Sequence, residues 1–283
     1  MNPKIKIFIA ALIIFDLFVW HSIIFDGGNK NLQVYFLNVG QGDGELVVLP
    51  GNVKILIDGG PNSKILTELS KSLPPTDRYI DLIILSHAEA DHFTGLIEVA
   101  KRYQVGAFIF NGLNSKTNAW PEFLKILKNK NVPIIVLSAR DKIKYLDSRV
   151  NFIWPEKNNL PKTTKTLNET ALVLILESRG VKILFTGDIG FKTENQLLKK
   201  YNLNADILKI GHHGSKYSSG EYFLKAVSPK ISAIEVGKNS YGHPTKEVLN
   251  RLASVESKIF RTDKDGLIRI EVDGENIKIF KIP

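Results

Sequence analysis

Residues 82–92 read Leu-Ile-Ile-Leu-Ser-His-Ala-Glu-Ala-Asp-His. The apolar run 82–85 predicts a buried strand, and the loop after it holds two imidazoles and two carboxylates. Side chains in a tight loop leave the backbone in different directions, so they can converge on one point. This ligand set suits Zn²⁺, Mn²⁺ or Fe. The stretch therefore indicates a metal site formed by His87, Glu89, Asp91 and His92; the alternative is a polar loop that caps the following helix.

Two further apolar strands end in residues that can bind metal. Residues 183–185 lead into Thr-Gly-Asp at 186–188, and residues 207–210 lead into Gly-His-His-Gly-Ser at 211–215. Each pattern alone is compatible with an ordinary turn or with surface histidines. In a layered α/β domain the loops at one edge of the sheets lie together. We therefore expect the three strand ends to form one site.

Composition limits the chemistry of that site and the partners of the chain. The chain has 283 residues, with 43% hydrophobic and 24% charged, which is typical of a globular protein. It contains no cysteine, which excludes disulfides, thiolate zinc sites and cysteine nucleophiles. Its net charge of +9 favours anionic partners. Residues 116–165 carry eleven basic and four acidic side chains, which form either a solvated face or a track for a polyanion.

The N-terminal segment is nearly apolar over residues 7–25, about the length that a helix needs to cross a bilayer. Lys4 and Lys6 precede it, and no small-x-small cleavage site follows it. We therefore expect an uncleaved single-pass membrane anchor over residues 1–26 rather than a cleaved signal peptide. A linker at 27–31 and one domain at 32–283 would follow. With Lys4 and Lys6 held on the inner side, the anchor predicts a cell-membrane protein whose catalytic domain is extracytoplasmic.

Apolar runs and helical patterns alternate along the rest of the chain, which predicts a layered α/β domain. The predicted strands are 34–39, 46–49, 53–57, 82–85, 108–110, 134–137, 172–176, 183–185, 207–210, 232–236, 259–261, 267–272 and 277–280. The predicted helices are 63–72, 95–103, 121–129, 192–200, 220–227 and 245–253. Residues 158–168 are predicted to be the longest loop.

Further motifs lie before, between and after these three strand ends along the chain. They are Phe-Leu-Asn-Val-Gly-Gln-Gly-Asp-Gly at 36–44, Ile-Asp-Gly-Gly at 57–60, Gly95, Asn168, Tyr-Gly-His-Pro at 241–244, Arg-Thr-Asp at 261–263 and Asp-Gly at 265–266. With this set the chain resembles the metallo-β-lactamase superfamily, and within it the ComEC-like competence proteins. The resemblance implies a four-layer αββα sandwich whose metal site lies at the edge where the two sheets meet.

The resemblance also implies roles for the ligand-type residues. Asp91, His92, Asp188 and one of His212 and His213 match the ligands of one metal position, with Asp188 placed to bridge two metals. His87 matches a ligand of the other position. The sequence departs from the superfamily pattern at Glu89 and Asn168, which stand where histidines are expected. We therefore expect one firm divalent metal, Mn²⁺ or Zn²⁺, and a second that is weak or labile; an oxygen ligand at Glu89 favours Mn²⁺.

The remaining candidates are expected to assist. Asp58 would orient the ligand loop, and Asp43 belongs to a tight loop that either forms a turn or contacts substrate. His243 would protonate a leaving group or hold a phosphoryl oxygen, which makes it a catalytic candidate beside Asp91 and Asp188; the alternative is a histidine in a turn. Ser215 and Lys216 would assist phosphate binding, unless their loop is simply solvated.

The resemblance to the competence proteins, together with the basic window at 116–165, implies a metal-dependent hydrolase of phosphodiesters, in the first place a DNA nuclease linked to DNA uptake. A bound metal activates water, so no nucleophilic side chain is required. One alternative is hydrolysis of phosphodiesters in lipid headgroups or cell-wall polymers. Another is a degenerate domain that binds metal or DNA without catalysis. The expected partners are DNA or another polyanion, the membrane through the N-terminal helix, and a separate competence channel protein.

Overall fold

The computed structural model describes residues 2–21, 29–157, 160, 167–274 and 276–283. The helices are α1 (Pro3–His21), α2 (Lys64–Ser72), α3 (Ala90–Arg102), α4 (Ala119–Asn129), α5 (Phe191–Leu198), α6 (Glu221–Val227), α7 (Lys246–Ser254) and α8 (Thr262–Asp265). The strands are β1 (Leu32–Phe36), β2 (Glu45–Val48), β3 (Lys54–Ile57), β4 (Tyr79–Ile84), β5 (Gln104–Phe110), β6 (Ile134–Val136), β7 (Lys142–Tyr145), β8 (Ser148–Trp154), β9 (Val173–Ser178), β10 (Val181–Phe185), β11 (Ile207–Lys209), β12 (Ile231–Ile234), β13 (Lys258–Arg261), β14 (Leu267–Asp273) and β15 (Asn276–Ile282).

The strands form two sheets. The first has the order β15-β14-β1-β2-β3-β4-β5-β6, and the second has the order β13-β12-β11-β10-β9-β8-β7. Strands β3 to β6 are mutually parallel, as are strands β10 to β13. Parallel neighbours present their carboxyl ends at one edge of a sheet, where ligand sites of α/β proteins are found. The loops after β3, β4, β10, β11 and β12 thus carry the candidate site.

Three apolar clusters give the order of the layers. One lies between the sheets, where the rings of Phe36 and Phe185 are 6.4 Å apart between centroids. A second packs α2, α3 and α4 against the outer face of the first sheet through residues such as Phe93 and Phe123. The third packs α5, α6 and α7 against the outer face of the second sheet. The α/β architecture with two sheets expected from the sequence is therefore confirmed.

The N-terminal helix α1 does not meet the requirements of a membrane span. Of the helices within the described residues, none is both long enough and apolar enough to cross a bilayer. Lys4, Lys6 and Asp16 lie inside α1, so its uncharged apolar run is far shorter than the ~20 residues that a span needs. The expected single-pass membrane localisation, with its anchor over residues 1–26, is therefore contradicted, and with it goes the ground for the expected extracytoplasmic placement. Residues 22–28 of that anchor and its linker lie outside the described residues.

The hairpin of β7 and β8 was not predicted from the sequence. Strand β7 reads Lys-Ile-Lys-Tyr and forms the edge of the second sheet. Its charged residues alternate with apolar ones, so only one face is partly buried, and lysines on an edge strand oppose pairing with other chains. The sequence analysis treated these lysines only as part of a basic window. Residues 158–159 and 161–166 of that window and of the predicted loop lie outside the described residues.

Candidate metal centre

Each residue of the candidate centre follows a strand whose carboxyl end faces the same edge. Asp58 follows β3, the loop at 86–89 follows β4 and leads into α3, and Asp188 follows β10. His212 and His213 lie in a 3-10 turn at 211–214 after β11. The loop that contains Gly42 packs directly against the backbone of Asp91. A Cβ at Gly42 would overlap the carbonyl oxygen of Asp91, so only glycine permits this approach.

Four of these side chains converge on one point. One ligand atom from each of Asp91, His92, Asp188 and His213 lies within 4.8 Å of the other three. Asp188 Oδ2 is 3.4 Å from His92 Nε2 and 3.5 Å from His213 Nε2. Asp91 Oδ2 is also 3.5 Å from His213 Nε2. The structure thus brings together residues from three strand ends.

The polar atoms of this cluster fit a divalent cation. His92 Nε2, His213 Nε2 and Asp188 Oδ1 are buried and have no hydrogen-bond partner within the described part of the chain. A buried polar atom without a partner costs free energy, so such atoms are rare unless a ligand satisfies them. Two imidazoles and two carboxylates match the ligand types that Zn²⁺ and Mn²⁺ accept.

Carboxylate and carbonyl groups behind the cluster orient both imidazoles. Asp58 accepts a hydrogen bond from the Ser86 backbone N–H (2.7 Å), and its Oδ2 is 2.8 Å from His92 Nδ1. His213 Nδ1 is 2.9 Å from the carbonyl oxygen of Glu235. With both Nδ1 atoms engaged, both Nε2 atoms face the cluster, which is how neighbouring groups fix ligand histidines in metal sites.

Lys209, a residue that the sequence analysis did not select, lies beneath the cluster. Its side chain is 0% exposed and forms an ion pair with Asp43, which is also fully buried. The ammonium lies 3.2 Å from the carbonyl oxygen of Gly187 and 3.8 Å from Asp188 Oδ1. A charged residue inside an apolar strand was the available signal, since burial of a lysine is costly unless an acid pairs with it.

Two more buried acids, Glu45 and Glu235, lie on the far side of Asp43 and were also missed. Burial and the nearby Asp43 raise the pKa of Glu235 to about 8. Burial and the Glu235 carboxyl raise the pKa of Glu45 well above its usual range. At neutral pH these two groups are therefore protonated to a large extent, and Asp43 is the carboxylate that balances Lys209.

The remaining predicted ligands lie around the four-residue cluster. The His87 ring is 4.1 Å from the His92 ring between centroids, and its Nε2 is buried without a partner among the described residues. Burial and the neighbouring His92 lower the pKa of His87 to about 3, so it is neutral. His212 Nε2 is 3.9 Å from Asp188 Oδ2, farther than His213. The geometry thus places His213, not His212, with Asp91, His92 and Asp188.

Glu89 and Asn168 contact each other rather than the cluster. Glu89 Oε1 accepts a hydrogen bond from the backbone N–H of Leu167 (2.7 Å), and the amide nitrogen of Asn168 donates to the same oxygen (2.8 Å). The other end of that amide is 3.4 Å from His212 Nε2. The two positions at which the sequence departs from the superfamily pattern are therefore neighbours in space, and the Glu89 carboxylate is already engaged.

Ser215 and His243 border the cluster on its open side. Ser215 is buried, and its hydroxyl accepts from the backbone N–H of Tyr217 (3.4 Å). The His243 ring is 5.7 Å from the His212 ring between centroids, and its Nδ1 is buried with no partner in the described chain. Burial and the neighbouring His212 lower the pKa of His243, so it is neutral at pH 7 and able to accept a proton or a hydrogen bond.

Charges within the cluster are tightly balanced. Although burial lowers it, the carboxylates of Asp188 and Asp43 raise the pKa of His213 to about 10. The same opposition acts at His92, where Asp188, Asp91 and Asp58 outweigh burial and raise the pKa well above its usual range. Without a cation, both imidazoles therefore carry protons that hold the carboxylates together.

Comparison with known proteins places this arrangement in a family. A family model described as the metallo-β-lactamase superfamily matches residues 39–237. ComE operon protein 3 of Bacillus subtilis is 28% identical over 281 residues, covering 92% of this chain and 35% of that protein. Competence protein ComA of Neisseria gonorrhoeae is 30% identical, covering 82% of this chain and 31% of its own length. The chain spans about a third of the length of these ComEC-like competence proteins.

Solved structures agree on the fold. YhfI of Bacillus subtilis, a metallo-β-lactamase fold protein, has a TM-score of 0.59 at 13% identity, covering 85% of this chain and 100% of that one. Zn²⁺-bound PqqB of Methylobacterium extorquens has a TM-score of 0.54 at 11% identity, covering 85% of this chain and 99% of that one. Identities this low speak to the fold alone. The match of the family model over residues 39–237, which is more than half of the chain, shows that the chain belongs to the metallo-β-lactamase superfamily.

Proposed function

We propose that this chain is a metal-dependent hydrolase that cleaves phosphodiester bonds of DNA. The observation that carries the proposal is the convergence of Asp91, His92, Asp188 and His213 at one sheet edge. The Nε2 atoms of both histidines are buried there and have no hydrogen-bond partner among the described residues. Superfamily membership by itself does not select a substrate. The choice of DNA rests on the competence-protein relatives and on the charge of the chain.

The proposed metal position is held by Asp91, His92, Asp188 and His213. When bound there, a divalent cation makes water available as a nucleophile near neutral pH and stabilises negative charge on the attacked group. Asp58 contacts the Nδ1 atom of His92, and the Glu235 carbonyl contacts the Nδ1 atom of His213, so both rings keep a fixed orientation. His243, which is neutral and lies next to His212, is placed to hold a phosphoryl oxygen through a ring N–H. Its lowered pKa makes it a poor proton donor to the leaving group.

The basic window at residues 116–165 supports a polyanionic substrate. Its end leads directly to Leu167 and Asn168, which contact Glu89 and lie beside His212 at the candidate centre. Lysine-rich surfaces attract phosphate backbones irrespective of sequence. We propose that DNA approaches the centre along this side of the domain.

A second candidate is a domain that binds metal or DNA without turnover. It is favoured by Glu89, whose carboxylate is engaged by Leu167 and Asn168 and so is not free for a second cation. On this reading the second metal position, next to His87, stays empty. Turnover separates the two candidates.

A cleavage assay tests the proposed function. The full-length chain is incubated with labelled single-stranded and double-stranded DNA and added Mn²⁺ or Zn²⁺. We expect cutting that EDTA stops, because the cation supplies the chemistry. Asp188→Ala should abolish it, whereas Asp273→Ala, which removes an exposed aspartate outside both the centre and the basic window, should leave it unchanged.

If folded, metal-loaded protein cuts neither DNA form, the nuclease proposal fails. Assays on lipid-headgroup and cell-wall phosphodiesters then distinguish another hydrolase from a domain that only binds.

Metal binding should strengthen as the pH rises. His213, with a pKa of about 10, and His92, with a raised pKa, are protonated at neutral pH in the metal-free protein, so binding must release protons. We expect the affinity for Zn²⁺ to rise by about tenfold per pH unit for each proton released, between about pH 7 and pH 9. Calorimetric titrations in buffers of different protonation enthalpy count those protons.

His243→Ala is the control for this titration. The lowered pKa of His243 means that it carries no proton to release, so the pH dependence should persist in the variant. An affinity that does not change with pH would show that the cation does not displace protons from His92 and His213.

A further inference from the structure

A groove with a volume of about 460 Å³ opens beside the candidate metal centre. It runs between the loop at 215–217 and the segment that leads into α7. Its walls include Ser215, Lys216, Tyr217, Tyr241, His243 and Lys246. Glu247, in the first turn of α7, is its acidic member. The sequence analysis did not assign a role to the two tyrosines.

The aromatic rings of the groove are exposed rather than packed. Tyr217 is 65% exposed and Tyr241 is 73% exposed. Most tyrosine surface is buried in folded proteins, so two open rings at the mouth of one groove indicate a surface that binds a flat, partly apolar group.

Cationic groups accompany the rings. The Lys216 ammonium lies 5.1 Å from the centre of the Tyr217 ring, and Lys246 borders the same groove. A groove that combines stacking faces with lysines has the two elements of single-strand recognition: rings for the bases and positive charge for the backbone. A duplex cannot use these rings, because its bases already stack on one another.

The groove is continuous with the metal centre. The Tyr241 ring is 5.7 Å from the His243 ring, and the His243 ring is 5.7 Å from the His212 ring, between centroids. His212 in turn lies 3.9 Å from Asp188. A strand whose bases lie on the tyrosines would therefore lead its next phosphodiester past His243 towards the ligand cluster.

We propose that this groove binds single-stranded DNA, with bases stacked on Tyr217 and Tyr241 and flanking phosphates held by Lys216 and Lys246. The proposal rests on the proposed function and names the form of its substrate. Since stacking accepts every base, the groove selects single strands without selecting a sequence.

Equilibrium binding tests the groove separately from cleavage. Fluorescence anisotropy is measured for the full-length chain in EDTA, so that nothing is cut, with a short thymidine oligonucleotide and with an abasic oligonucleotide of equal length. We expect the thymidine strand to bind at least about tenfold more tightly. Tyr217→Ala and Tyr241→Ala should each remove about tenfold from thymidine binding and leave abasic binding unchanged, whereas Tyr241→Phe retains the ring and the affinity.

Tyr222→Ala is the matched control, because Tyr222 is 79% exposed on α6 and does not line this groove. It should bind as the unsubstituted chain does. Lys216→Ala should weaken both oligonucleotides and reduce the salt dependence by about one phosphate contact.

Equal affinity for the thymidine and abasic strands, or tighter binding of a duplex, would overturn the groove proposal even if the chain cuts DNA. Conversely, a base preference that requires both tyrosines would uphold the groove even if no DNA is cut, and would leave only the hydrolase proposal refuted.

Discussion

Asp188→Asn is expected to weaken the binding of Zn²⁺ or Mn²⁺ by more than about 10²-fold. The substitution keeps the shape of the side chain and removes the negative charge that faces His92 Nε2 at 3.4 Å and His213 Nε2 at 3.5 Å. Substitutions of groups behind a metal ligand already cost 10- to 100-fold in affinity, so loss of a central ligand should cost more. Calorimetry measures the affinity directly.

A second measurement separates metal binding from folding. In the metal-free protein the Asp188 carboxylate also raises the pKa values of His92 and His213 and pairs with both protonated rings. The variant should therefore lose some stability even without metal. A bound cation raises the unfolding midpoint of the unsubstituted chain by mass action, and this rise should vanish in Asp188→Asn. Asp147→Asn, which changes an exposed aspartate, should keep it. An unaltered metal-dependent rise in Asp188→Asn would remove Asp188 from the proposed metal position.

The fold could be predicted because the apolar runs of single segments and the motifs spread along the chain indicate the same architecture. Apolar runs with turn residues after them gave the central strands, and the glycines of the motifs mark close approaches that only glycine permits. At Gly42 and Gly95 a side chain would overlap a neighbouring backbone oxygen. Strand β7 was not predicted because it is a charged edge strand that buries little apolar surface, so hydrophobicity gives a weak signal there.

The choice between His212 and His213 was not predictable from the sequence. Both residues have positive φ, 50° and 53°, in a 3-10 turn. Such conformations are uncommon for residues other than glycine and depend on the surrounding structure. This turn directs His213 to Asp91 and Asp188, and leaves His212 beside Asn168 and His243.

The acids and the lysine beneath the centre were missed for a different reason. The sequence analysis placed Asp43 in a loop that either forms a turn or contacts substrate, and Lys209 in an apolar strand; only the packing of the two sheets brings them together. An ion pair between residues so distant in sequence leaves no local pattern. The cost of burying either charge alone explains why both are needed.

Lys209→Met is therefore expected to destabilise the protein by about 3–5 kcal/mol, because it leaves the Asp43 carboxylate buried without its cation. Methionine has a similar length and is apolar, so the change removes the charge with little loss of volume. Of the remaining neighbours of Asp43, Glu45 and Glu235 are largely protonated at neutral pH, and the His213 imidazole, 3.2 Å away, replaces only part of the lost positive charge. Urea unfolding in EDTA measures the loss without a contribution from bound metal.

Two further variants identify the origin of that loss. Lys230→Met removes the cation of an ion pair with Asp206 that lies at the surface, where water replaces the partner, so its effect should be far smaller. Asp43→Asn combined with Lys209→Met removes both charges of the buried pair and should recover part of the stability lost in Lys209→Met. If the double variant is instead as unstable as the sum of the single variants, the two residues do not interact, and the lysine supports the centre by packing alone.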